Sequence, residues 1–119
     1  MNNGEFAYTR QEAKRLFLKT ARAAKKPFIY LSAGVSNAEF TESLELAAEA
    51  GTRFSGVLCG RATWKEGIPV FGKQGPDAFR KWLEDEGVRN INNVNDRLKA
   101  ARPWFEFYGA KSPDELAGR

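Results

Sequence analysis

The chain has 119 residues, of which 42% are hydrophobic, with a single cysteine, no histidine and a formal charge of +4. That length bounds it to one domain with a modest core, and the composition excludes a disordered chain. One cysteine excludes an internal disulfide, and a chain without histidine whose carboxylates are scattered is expected to hold no metal and no cofactor.

No run approaches the roughly 20 apolar residues of a membrane span. The start, Met-Asn-Asn-Gly-Glu-Phe, has neither the basic nor the apolar section of a leader. A cytoplasmic protein without membrane association is therefore expected. Lysine and arginine are spread along the helices rather than gathered in a block, so they read as solvated faces, and nucleic acid is an unfavoured partner.

Residues 1–9 read as an irregular start. Thr9 and Glu12 have the spacing of a capping box, which predicts a first helix over 10–24 with Ala13, Leu16, Phe17 and Ala24 on its apolar stripe. Pro27 ends it. Phe28 to Leu31 is a continuous apolar run, the mark of a parallel strand buried on both faces. Ser36 and Glu39 form a second capping box, predicting a helix from Asn37 with Phe40, Leu44 and Ala47 inward and Gly51 just past its end.

Phe54 to Cys59 is the second predicted strand. Gly56 within it implies that another group packs closely there. Cys59 reads as a small core residue, because a nucleophilic role needs a base such as histidine. One helical turn is expected at Arg61 to Trp64, then a loop through Gly67, Pro69, Gly72 and Gly75. A third helix is predicted from Pro76 to Glu86, stopped by Gly87, and a fourth from Asn92 to Arg102 with Asn90, Asn92, Asn93 and Asn95 as caps. Trp104, Phe105, Phe107 and Tyr108 either seal the core or meet another chain, with sealing the favoured reading, and residues 109–119 read as a loose tail.

The two apolar runs and the helix between them make one βαβ unit of an α/β fold. A right-handed crossover makes the strands parallel, so the loops after both open on the same side of the sheet. Ser32, Ala33 and Gly34 are small enough to let backbone N–H groups approach an anion, with the next helix start beyond them. Gly60 and Arg61 follow the second strand, and a guanidinium grips two oxygens in a fork. These five residues form a candidate phosphate site.

From about Gly4 to Tyr108 the chain resembles the carboxyl-terminal third of the tagatose 1,6-bisphosphate aldolase family of class I aldolases. The resemblance rests on Pro-Phe-Ile-Tyr-Leu-Ser-Ala-Gly-Val-Ser from Pro27 and Gly-Val-Leu-Cys-Gly-Arg-Ala-Thr-Trp from Gly56. It implies the last two β/α units of a (β/α)₈ TIM barrel, with residues 28–31 as the seventh strand, 54–59 as the eighth and 10–108 as a partial barrel domain. Such barrels often bind phosphate through the loops after these strands. The resemblance also implies that the residues matching Ser32, Gly34, Gly60 and Arg61 hold a phosphate of the sugar bisphosphate or of dihydroxyacetone phosphate.

The family's Schiff-base lysine lies on the sixth strand and its acid–base glutamate earlier, and neither has a counterpart here. Lys65 is the only lysine expected near the mouth of the site, with Lys25 and Lys26 at the other end of the strands; an exposed ammonium is a poor nucleophile. The expected function is the phosphate-binding portion of an aldolase that cleaves a ketose bisphosphate, with no catalytic residue of its own. The alternatives are a non-catalytic phosphate-binding remnant and a structural fragment. Unpaired strands and an uncovered apolar face predict self-association or docking with a complementary barrel fragment.

Overall fold

Thr9 and Ser36 start the two longer amino-terminal helices by the same device. In the computed structural model, which describes residues 6–118, Thr9 caps α1 (Arg10–Ala23) and Ser36 caps α2 (Asn37–Glu49). Each cap hydroxyl accepts from the N–H three residues on, and Glu12 and Glu39 reach back to accept from the N–H groups of Thr9 and Ser36, both at 2.8 Å. The helix ends therefore carry their own hydrogen-bond partners. Residues 1–5 of the expected irregular start lie outside the described residues, as does residue 119 of the expected tail.

Two strands follow these helices, β1 (Tyr30–Leu31) and β2 (Val57–Leu58), and they pair in parallel with Tyr30 opposite Val57 and Leu31 opposite Leu58. Both are shorter than the predicted runs. The pairing nevertheless extends past them: Ser55 N–H donates to Phe28 O at 2.8 Å, Tyr30 N–H to Gly56 O at 3.2 Å and Ser32 N–H to Leu58 O at 3.1 Å. Gly56 explains part of the shortening, since its φ of +149° departs from strand geometry. A methyl group there would meet Ile29 only at 3.9 Å, so conformation rather than close packing calls for glycine, contrary to expectation.

Burial on both faces is also not what the structure shows. One face of the strand pair carries the core, with Phe54 and Leu44 fully buried and Phe40, Ala47, Ala62 and Val94 beside them. Phe40, Leu44 and Ala47 come from one stripe of α2, as their spacing requires. On the other face Ile29, Leu31 and Leu58 remain 50%, 61% and 64% exposed. No layer formed by the described residues covers them.

After β2 the chain becomes helical. The single turn α3 (Arg61–Trp64) is present as expected, but a 3₁₀ turn at Lys65–Gly67 and the helical stretch α4 (Ile68–Trp82) replace the predicted loop. Gly75, at φ +85° and ψ −176°, breaks α4 in two, so Pro76 does open a helix, only not after a loop. Gly67 holds the first half in place. A methyl on it would come within 2.7 Å of Phe79 and 2.6 Å of Trp82, whose rings stack over the turn.

Gly87 does not stop the helix. Its φ of −60° and ψ of −45° are helical, and one π turn at Leu83–Gly87 carries the chain directly into α5 (Val88–Arg97). Glycine weakens a helix by about 1 kcal/mol but ends it only where it turns left-handed. Asn90, Asn92, Asn93 and Asn95 thus sit inside a helix and cap nothing. The aromatic segment forms a 3₁₀ turn at Trp104–Tyr108, and Trp104, Phe107 and Tyr108 stay 48%, 41% and 48% exposed, so the cluster does not seal the core. Beyond it Ala110 is buried and Pro113–Leu116 forms another 3₁₀ turn, giving the expected loose tail local structure.

Candidate functional site

The loop after β1 is a tight turn in which Val35 N–H donates to Ser32 O at 3.0 Å. Its two central residues, Ala33 and Gly34, have φ of +51° and +81°, the pattern of a type I′ turn. Ala33 is the only described residue other than glycine with positive φ. An L-residue held there costs roughly 1–2 kcal/mol, which the paired strand and the α2 cap on either side must hold in place.

The five predicted site residues meet, though not on equal terms. Ser32 is buried at 6% exposure, and its N–H is committed to Leu58 O. Among the described residues, nothing accepts from the N–H of Ala33 or Gly34. Arg61 lies across the turn, so that a methyl on Gly34 would sit 3.0 Å from its Cζ and 3.1 and 3.2 Å from its terminal nitrogens. The guanidinium makes no ion pair with a described residue. Gly60 precedes α3, and its carbonyl accepts from Thr63 N–H at 2.8 Å and from Thr63 Oγ1 at 2.7 Å.

Two further residues join them, Lys65, expected near the mouth of the site, and Asn90, expected only as a cap. Lys65 Nζ donates to Gly34 O at 2.8 Å, so its ammonium stands on the same turn as Arg61. A lysine held as a hydrogen-bond donor is a charge, not a nucleophile. Asn90, from the first turn of α5, donates through Nδ2 to Thr63 O at 3.0 Å, while Asn37 Nδ2 donates to Asn90 O at 3.0 Å. This chain of amides ties the loop after β2 to the starts of α2 and α5. The signal for Lys65 was its position one turn after Arg61; nothing local marked Asn90.

The start of α2 contributes less than expected. Glu39 sits on its first turn, held below the usual carboxylate range by the Ser36 backbone N–H and hydroxyl, with Lys65 a weaker contributor. A resident carboxylate competes with an incoming anion for the helix end. The donors that the turn leaves open are therefore the Ala33 and Gly34 N–H groups and the Arg61 guanidinium, with the Lys65 ammonium beside them. Cys59, half-buried at the end of β2, has its thiol pushed up by desolvation, which favours the inert protonated form.

Residues 2–66, which contain both loops, match the sequence profile described as DeoC/LacD family aldolase. The chain belongs to that family. Within the DeoC/LacD aldolases it is 47% identical over 108 residues to the tagatose 1,6-diphosphate aldolase of Listeria monocytogenes serotype 4a, strain HCC23. The tagatose 1,6-diphosphate aldolase of Listeria innocua serovar 6a is equally similar, and tagatose 1,6-diphosphate aldolase 2 of Streptococcus pyogenes serotype M3 is 47% identical over 105 residues. These alignments cover 90% or 87% of this chain and 32% of each relative, so the chain spans about a third of the length of the curated relatives it matches.

Proposed function

We propose that this chain is the phosphate-binding portion of a class I aldolase acting on tagatose 1,6-bisphosphate or a related ketose bisphosphate. The observation that carries this reading is Arg61 laid over Gly34, with Lys65 bonded to the same turn, at the carboxyl ends of two parallel strands. Family membership and the names of the relatives add the substrate class. In this reading Arg61 grips two phosphate oxygens, Lys65 adds a second positive charge, and the N–H groups of Ala33 and Gly34 complete the cradle. Ser32 and Gly60 act by position, anchoring one loop and leaving room in the other.

The strands correspond to the last two of a (β/α)₈ barrel, with residues 10–108 as the partial domain. The exposed Ile29, Leu31 and Leu58 then face the interior that six further strands would fill. Cleavage breaks the bond between C3 and C4 of the ketose, giving dihydroxyacetone phosphate and glyceraldehyde 3-phosphate. The Schiff-base lysine and the acid–base carboxylate come from the complementary portion, and this chain alone is inactive. Its setting is the cytoplasm, where sugar phosphates are found.

The test is a calorimetric titration with dihydroxyacetone phosphate, followed by mixing with a chain that carries the first six strands. Saturable binding that falls about tenfold or more in Arg61→Ala, as expected for loss of a charge-assisted fork, together with aldol cleavage only in the mixture, supports the proposal. Binding without cleavage in any mixture would leave the non-catalytic remnant as the correct reading. Absence of binding in the wild-type chain would overturn both.

A further inference from the structure

At the opposite end of the strands lies a second basic cleft that the aldolase reading does not use. It has a volume of about 420 Å³ and lies between the end of α1, the start of β2 and the segment after α5. Arg22, Arg53 and Arg102 line it together with Phe28, Phe107 and Glu106. The backbone brings these segments together. Arg102 N–H donates to Phe54 O at 2.8 Å, which ties the segment after α5 to the residue following Arg53 on the approach to β2, and Ser55 N–H donates to Phe28 O at 2.8 Å. Arg22 enters from the last turn of α1.

Three exposed arginines line this one cleft, and none makes an ion pair with a described residue. With Glu106 the one carboxylate among the lining residues, the cleft carries an excess of positive charge that favours an anion. The walls narrow the choice. Phe28 and the 41% exposed Phe107 offer apolar faces on which a flat ring can lie. Glu106 accepts hydrogen bonds from hydroxyls and opposes a bare polyanion. The volume lies within the roughly 300–1,000 Å³ of small-ligand sites.

We infer that this cleft binds a nucleoside monophosphate, with the phosphate on the arginines, a sugar hydroxyl on Glu106 and the base against Phe107. The site is separate from the loops after β1 and β2, so the two assignments stand or fall independently.

Calorimetric titration of the full chain with AMP tests it, with ribose 5-phosphate as the comparison that lacks the base. AMP is expected to bind saturably and about tenfold more tightly than ribose 5-phosphate, the increment of one aromatic stacking contact. Arg53→Gln combined with Arg102→Gln should weaken AMP by about tenfold or more, while Arg61→Gln leaves it unchanged. Equal affinity for the two ligands, loss of AMP binding in Arg61→Gln, or no binding at millimolar AMP would each overturn the inference. The wild-type comparison of the two ligands does not depend on whether a variant folds.

Discussion

Gly34 carries two constraints at once. Its φ of +81° strains any residue with a Cβ, and that Cβ would press on the Arg61 guanidinium at 3.0 Å. Gly60 carries neither, with φ −134° and a methyl that would meet Trp64 Nε1 at an ordinary 3.5 Å. Gly34→Ala should therefore cost roughly 1–2 kcal/mol in urea unfolding and lower the affinity for dihydroxyacetone phosphate, because the added carbon displaces the fork. Gly60→Ala should leave the unfolding midpoint nearly unchanged. Equal behaviour of the two variants in both measurements would contradict the geometry. The two glycines look alike in sequence, and only the folded backbone and the position of Arg61 separate them. Ser32, Ala33, Gly34, Gly60 and Arg61 were legible because small residues after parallel strands are a local pattern. Asn90 was not, because its role depends on α5 passing within 3.0 Å of Thr63.

Both capped helices depend on a carboxylate. Hydrogen bonds from Thr9 hold Glu12 below the ordinary glutamate value, those from Ser36 do the same for Glu39, and the Arg10 guanidinium does so for Glu49. A folded-state value below the unfolded one contributes stability that is complete above about pH 4.3 and is lost as pH falls through the folded value. The urea midpoint should therefore decline between about pH 5 and pH 3, and less steeply in Glu39→Ala. An acid-insensitive midpoint would contradict this account. The amino-terminal half was legible because caps, an i, i+4 apolar stripe and a left-handed Gly51 at φ +74° are all local devices that agree. The carboxyl-terminal half was misread for the opposite reason. Gly67 and Gly75 read as loop residues and Gly87 as a stop, yet one admits Trp82 and Phe79, one kinks a helix and one sits inside it.

The molecule as a whole is drawn out. Its radius of gyration is 17.3 Å, and its extents are 54, 38 and 18 Å. A typical domain of this length has a radius near 13–14 Å. Among the described residues only Phe54, Leu44 and Val94 are large side chains buried below 2%, while Ile29, Leu31, Leu58, Ile68 and Phe71 are half-exposed or more. Sedimentation of the isolated chain should show concentration-dependent association, and adding a chain with the first six strands should replace it with one defined complex. A monomer at every concentration would argue against an uncovered interface. The turn at Ala33–Gly34 has a last consequence at this scale. Arg61 and Lys65 reach it from beyond β2, so the anion of the proposed site would span both β/α units of a sheet that is two strands wide among the described residues. In that reading a bound phosphate would act as a staple across the structure's narrowest seam, and ligand occupancy and the integrity of the strand pair would become one equilibrium.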